Sequence, residues 1–187
     1  MELAPRKVQD VQDAATPAAA AKALEGLVGL CAEEGGACAL TGSGALEALA
    51  TVVRGMDDGA LTTAHVDAAA AASGFLKALA AAPDACPGQL GSDSGVVEAY
   101  VELLGGPNGA AAAATEEAVH VWRHASIALA VIASSHDGRA RLHLCGGASA
   151  LVPLLKPSLA AHFCMTKEGT VSSSGRYSVV SSSFARI

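Results

Sequence analysis

Three times along the chain a glycine opens a run of apolar residues. The runs are Gly44-Ala45-Leu46-Glu47-Ala48-Leu49-Ala50-Thr51-Val52-Val53, Gly95-Val96-Val97-Glu98-Ala99-Tyr100-Val101-Glu102-Leu103-Leu104 and Gly146-Gly147-Ala148-Ser149-Ala150-Leu151-Val152-Pro153-Leu154-Leu155. The leading glycines, at 44, 95 and 146, are 51 residues apart each time. The fifth, eighth and ninth residues after each glycine are apolar in all three runs. Steps of three and four bring side chains to one face of an α-helix, so each run predicts a helix with one apolar stripe.

A second apolar stretch precedes each glycine: Ala23–Val28, Phe75–Ala80 and Ala128–Ala133. Each carries Leu or Ile three residues apart, one turn along a common stripe. Short Gly-, Asp- or Pro-containing linkers follow, at Ala32–Ser43, Ala82–Ser94 and Ser134–Cys145. The last contains Arg139-Ala140-Arg141-Leu142, which fits a short helix. Ser43 and Ser94, directly before their glycines, read as helix caps. The unit is therefore long helix, turn, short helix, glycine, second long helix. One such unit cannot bury its stripe alone, whereas stacked units bury a continuous core. The stretches Arg54–Ala64 and Gly105–Glu117 are rich in Gly and small residues and read as extended surface loops.

The segment Arg123–Leu155, RHASIALAVIASSHDGRARLHLCGGASALVPLL, resembles the armadillo repeat family. The family form is an apolar helix ending in Asn-Leu-Ala, a short helix, then a glycine and a Leu-Val-x-Leu-Leu helix. Leu151-Val152-Pro153-Leu154-Leu155 matches that last element. The likeness covers about Pro17–Leu155, although the 51-residue period exceeds the usual length of about forty, and HEAT-type arrays share the same stacking physics. It implies an all-α fold, an armadillo-type right-handed α-α superhelix of about three repeats with extended loops. The expected division is an N-terminal segment at 1–16, the repeat domain at 17–155, and a tail at 156–187 that is weakly helical, then Ser-rich and flexible.

The resemblance also implies a way of working. Armadillo arrays bind another protein along a concave face lined by the last helix of each unit. The nuclear-import type grips an extended peptide there with Asn residues, often with Trp four residues earlier. Here Gly26, Ala78 and Val131 stand at the Asn positions, and Lys22, Gly74 and Ile127 at the Trp positions. Trp122 lies one turn too early to substitute. The candidate partner-binding residues are Lys22, Lys77, Arg123, Ile127 and Val131, forming a groove suited to an acidic or mixed segment. Glu47 and Glu98, three residues after their glycines, belong nearer the convex side and read as solubilising.

Composition narrows the picture. Hydrophobic residues make up 51% of the chain but aromatics only 3%, so the core is built from Ala, Leu and Val. That favours helices over a β-sandwich. A net charge of −6 with 12 scattered basic residues argues against nucleic acid as partner, which needs clustered Lys and Arg. Cys31, Cys38, Cys86, Cys145 and Cys164 form no CxxC pair and read as buried free thiols in a reducing compartment. The N-terminal stretch mixes both charges without the apolar core of a secretory signal. The Ala-rich run 66–82 is broken by Asp67, Ser73 and Lys77, so no membrane span is expected. The expected location is the cytoplasm, with nucleus or cilium as alternatives.

Candidate chemistry is thin. His120 and His124 share a helical face and, with His136, His143 or Cys145, meet the minimum for zinc. However, Val121 and Trp122 follow His120, so no HExxH exists, and a surface helix with polar residues beside Trp122 and Arg123 is the simpler reading. Gly42-x-Gly44 and Gly105-Gly106 lack the rest of a phosphate loop. No GxSxG elbow or Ser/Cys–His pairing is present. No metal, cofactor or catalysis is expected. The second reading is a structural subunit locked into a larger assembly, such as a cytoskeletal or ciliary complex. No polar capping helix is evident beyond Leu155, and solenoid ends normally need one, so self-association through that end is a further expectation.

Overall fold

The computed structural model describes residues 3–57, 60–84, 95–106, 109 and 115–155. Among them are nine α-helices, one 3-10 turn and no strand. In chain order they are α1 (Leu3–Gln12), α2 (Pro17–Cys31), α3 (Gly36–Gly42), α4 (Ala45–Arg54), α5 (Thr63–Ala81), α6 (Val96–Gly105), α7 (Glu116–Ile132), α8 (His136–Leu144) and α9 (Gly147–Leu151), which runs into the 3-10 turn Val152–Leu155. No single described helix is long and apolar enough to cross a membrane.

Two start signals alternate along the chain. The long helices α2, α5 and α7 each begin after a threonine. Thr16 accepts a hydrogen bond from the Ala19 amide and Thr115 from the Ala118 amide, and Thr62 forms a capping box with His65. A hydroxyl there satisfies an amide that the first turn leaves without a partner. Pro17 adds a preset φ to α2, and Glu116 and Glu117 complement the positive end of α7. By contrast α4, α6 and α9 start from Gly44, Gly95 and Gly146, whose φ values are 82°, 74° and 76°. The chain reverses there through the left-handed region, which glycine enters without a Cβ penalty. This requirement is the physical basis of the 51-residue landmark.

The Ser43 expectation is corrected by the same geometry. Ser43 closes α3, donating its hydroxyl back to the Ala39 carbonyl at 2.6 Å, and Gly44 takes the cap position of α4. Ser94 lies outside the described residues.

Two further glycines are required by close approach of the backbone. A Cβ on Gly36 would collide with the carbonyl oxygen of Leu30, and one on Gly138 with that of Ile132. Both glycines sit at the entry to a short helix, α3 and α8, six residues after the carbonyl they approach. Their separation, from 36 to 138, is two periods of 51.

The helices pack in two rows. One row is α2 against α5 and α5 against α7; the other is α4 against α6 and α6 against α9. Helix α3 joins them, touching α2 and α4, and α6 touches α7 directly, whereas α8 packs against α6 and α9 within the second row. The core lies between the rows. Leu24, Leu27, Leu76, Leu79, Leu129 and Ile132 enter it from the first row, and Leu46, Leu49, Val53, Tyr100, Leu103 and Leu104 from the second. Trp122, Tyr100 and Phe75 are its largest fully buried side chains.

Several expectations need adjustment. Residues 1–16, left outside the repeats by the sequence reading, contain α1, which buries Ala4, Val8 and Val11 against α2 and α4. The 54–64 stretch is not wholly a surface loop, since Arg54 ends α4 and Met56 is buried. Gly109, in the second expected loop, is buried too. In the third unit Pro153 lacks the amide an α-helix needs, and α9 gives way after five residues to the 3-10 turn. Leu151 is consequently half-buried, and Leu155, unlike Val53 and Leu104 at the same offset, is exposed. Cys31 is buried and Cys145 half-buried, but Cys38 is exposed, contrary to the reading of buried thiols. Cys86, Cys164 and the tail 156–187 lie outside the described residues.

Candidate protein-binding face

The outward side of the α2, α5, α7 row carries every residue assigned to partner binding. The buried stripe fixes the register: Leu24, Leu76 and Leu129 occupy equivalent inward positions. Lys22 on α2 and Lys77 on α5 are exposed, whereas Arg123, Ile127 and Val131 on α7 are half-buried. Val131 packs against the core and offers only part of its surface.

Lys22 belongs to a groove between α2 and α5 with a volume of about 720 Å³. Its floor is made of small residues, among them Ala18, Ala21, Ala70 and Gly74. Short side chains let the two helices approach closely and leave space above them. Lys22, Glu25 and Asp67 line the same groove, so its charge is mixed.

The neighbouring α5–α7 junction has a different character. The Ser73 hydroxyl and His124 Nδ1 lie 3.2 Å apart, joining the two helices. That hydroxyl donates to the Ala70 carbonyl at 3.0 Å. A hydroxyl has one proton, so Nδ1–H donates to the Ser73 oxygen and Nε2 is the basic nitrogen. Partial burial, then the positive charges of Arg123, His120 and Lys77, hold the His124 pKa below its ordinary 6.5. Arg123 and His120, on the same helix, and Lys77, on α5, are thus the charged neighbours that act on the His124 ring. Lys77 and Arg123 both act on His124, while Lys22 lines the mixed groove.

The zinc candidates do not assemble. Among the described residues no group of three or more His, Cys, Asp or Glu is placed to hold a metal. Cys145 instead lies 3.4 Å from Glu98 Oε1. The picture of α7 as a surface helix around Trp122 is corrected as well, because Trp122 is wholly buried between the rows.

Glu98 is the functional misreading of the sequence. It is not a free solubilising charge: it pairs with Arg141 and binds Cys145, tying α6 to the end of α8. Burial pushes its pKa up, but hydrogen bonds from its own backbone amide, Cys145 and Arg141, with the Arg141 charge, outweigh this and hold it low. Nothing in the linear sequence marks the partnership, since the residues are 43 positions apart. Elsewhere burial, then the charge of Asp84, pushes the Cys31 thiol up to about 11. It is therefore a neutral packing group and not a nucleophile.

No protein-family model, curated protein or solved structure matches the chain. The described residues form an all-helical fold.

Proposed function

We propose that the protein binds a partner protein along the outward face of α2, α5 and α7, and that this face is the concave side of an armadillo-type superhelix. The observation that carries the reading is one row of helices bearing a groove of about 720 Å³ whose lining includes Lys22, Glu25 and Asp67. Small side chains set the shape, and charges at the rim set orientation and discrimination. The protein works as a scaffold in the cytoplasm, without a cofactor or a chemical step. Gly74→Trp tests this. Gly74 lines the groove, and a Cβ there meets nothing within 4 Å, so the indole fills the groove with the helix intact. Affinity capture from cell extract with wild type and Gly74→Trp, quantified side by side, should show partners lost from the variant. Equal recovery overturns the assignment to this face.

A second reading, a structural subunit held by its ends, is favoured by one observation. Leu144, Val152 and Leu155 are 77%, 61% and 78% exposed, at one end of the second row. Apolar exposure of this kind marks contact surfaces. Sedimentation of wild type against Val152→Glu with Leu155→Glu tests it: association that the charges abolish supports the subunit reading, and a wild-type monomer removes it.

A further inference from the structure

The second row ends on apolar side chains that its earlier members keep buried. Val53 and Leu104 are fully buried at the position where Leu155 is 78% exposed, and Ala50 is buried at the position of Val152, which is 61% exposed. In the first two units the chain that follows packs back on the row: α4 touches α5, and α6 touches α7. Among the described residues no helix follows α9 and its 3-10 turn. We propose that residues 166–187 of this chain dock on that exposed end as one further helix of the first row, with Tyr177, Val180, Phe184 and Ile187 as the contact stripe. This inference does not depend on the protein-binding face. It assigns an occupant from the same chain to the end on which the subunit reading rests.

The sequence supplies a start signal at the right distance. Thr62, the cap of α5, lies nine residues after Val53, and Thr115, the cap of α7, lies eleven after Leu104. Thr166 lies eleven after Leu155. The cap also sets the register. Leu76 and Leu129 stand fourteen residues after their caps and are buried, and Val180 stands fourteen after Thr166. Tyr177, Val180, Phe184 and Ile187 follow one another at steps of three, four and three, which fall on one side of a helix, with Ser178 and Ser182 on the opposite side. A helix at the end of a row has neighbours on one side only, so a single stripe with a polar back suits that place. Gly175 within the segment has counterparts in Gly26 and Gly29 of α2 and Gly74 of α5. Serine hydroxyls compete with helical hydrogen bonds, so this helix draws its stability from docking. The connection from Leu155 is as long as the one from Leu104, and a tether of that length holds the segment at about millimolar effective concentration, which favours the same chain over a second copy.

Hydrogen exchange read by mass spectrometry on the full chain tests this, with the free peptide 166–187 as reference. The expected result is exchange across 177–187 slowed about tenfold or more relative to the peptide, at a level independent of protein concentration. Val180→Asp with Phe184→Asp should remove that protection and leave α7 as protected as before, while Val179→Asp, off the stripe, should keep it. Val152→Glu with Leu155→Glu should remove it from the other side of the contact. Exchange at the peptide's rate in wild type, or protection that survives either pair of substitutions, overturns the docking. Loss in Val179→Asp overturns the stripe. Protection that grows with protein concentration, with a dimer in sedimentation, gives the end to a second copy and overturns the proposal too. If the Val152 and Leu155 pair also loosens α7, the Val180 and Phe184 pair, outside the described core, carries the decision.

Discussion

Gly138→Ala and Gly74→Ala make the same chemical change and should move stability in opposite directions. At Gly138 an added Cβ would lie 2.7 Å from Ser135 Oγ and 2.8 Å from the Ile132 carbonyl carbon, and nearer still to that carbonyl's oxygen. Two of these atoms are backbone, so the turn itself must open. Ser135 Oγ also accepts from the Gly138 amide at 3.0 Å and donates to the Ile132 carbonyl at 3.0 Å, so the same displacement breaks the cap of α8. Forced repacking costs about 1–3 kcal/mol, and a lost cap costs about 0.5–2 kcal/mol. The entropic gain of replacing glycine offsets about 0.5–1 kcal/mol. The net loss is about 0.5–4.5 kcal/mol by these contributions. Gly74 lies inside α5 with nothing within 4 Å of the new Cβ, so only the gain of about 0.5–1 kcal/mol remains. At this chain length 1 kcal/mol shifts the melting temperature by about 2–4 °C. Thermal melts followed by far-ultraviolet circular dichroism should show Gly138→Ala lower by several degrees and Gly74→Ala slightly higher. A Gly138→Ala variant that melts at or above wild type refutes the close approach of α8's first turn to the end of α7.

Three further outcomes are expected. Leu129→Ala, at a residue 1% exposed, should cost about 2–5 kcal/mol in urea titrations, and Leu151→Ala, half-buried in the shortened α9, clearly less; equal losses would place Leu151 in the core after all. Glu98→Gln should cost about 0.5–1 kcal/mol near neutral pH, as for a partly exposed pair. Because the fold lowers the Glu98 pKa, its contribution is present above the ordinary 4.5 and is lost as pH falls through the folded value, so wild type and variant should converge in acid; a gap that persists there removes the ionic explanation. A lysine-rich peptide should bind only weakly at about 150 mM salt, because Gly26, Ala78 and Val131 supply no amides for an extended backbone and Lys77 and Arg123 repel it; micromolar affinity abolished by Ile127→Asp would contradict this.

The helical framework was readable from the chain because its two signals are local. Apolar residues at steps of three and four mark α4, α6 and the inward stripes of α2, α5 and α7. The glycines at 44, 95 and 146 mark reversals that only a residue without Cβ makes cheaply. Helix α1 was missed because only Ala4, Val8 and Val11 carry its stripe, too few to stand out among Arg6, Lys7, Asp10 and Asp13. The shortening of α9 is written in the sequence as Pro153, whose missing amide does not show in the apolar pattern of Leu151–Leu155. Gly36 and Gly138 were unread for a different reason. Their φ values are not positive, and the need for glycine comes from a carbonyl six residues away, a contact that exists only once the turn is folded.

The binding face divides along the same line between local and non-local information. That Lys22, Lys77 and Arg123 share the outward side of their helices follows from periodicity within each helix. Which of them act together does not, because it depends on how far α7 is shifted along α5. The pairing of Ser73 with His124 fixes that shift, and it sits at the repeat distance of 51. Along the chain His124 stands one turn from His120 and, with His136, His143 or Cys145, suggests a metal. Placed against α5 instead, its Nδ1 lies 3.2 Å from the Ser73 hydroxyl, and partial burial with the charges of Arg123, His120 and Lys77 opposes its protonation. Glu98 shows the converse. Its offset within α6 suggested a solvated charge, and only the return of α8 across α6 brings Arg141 and Cys145 to it. In a chain whose apolar residues are mostly Ala, Leu and Val, the core sets the stacking, and the few charged side chains acquire their roles from the neighbour that the stacking delivers.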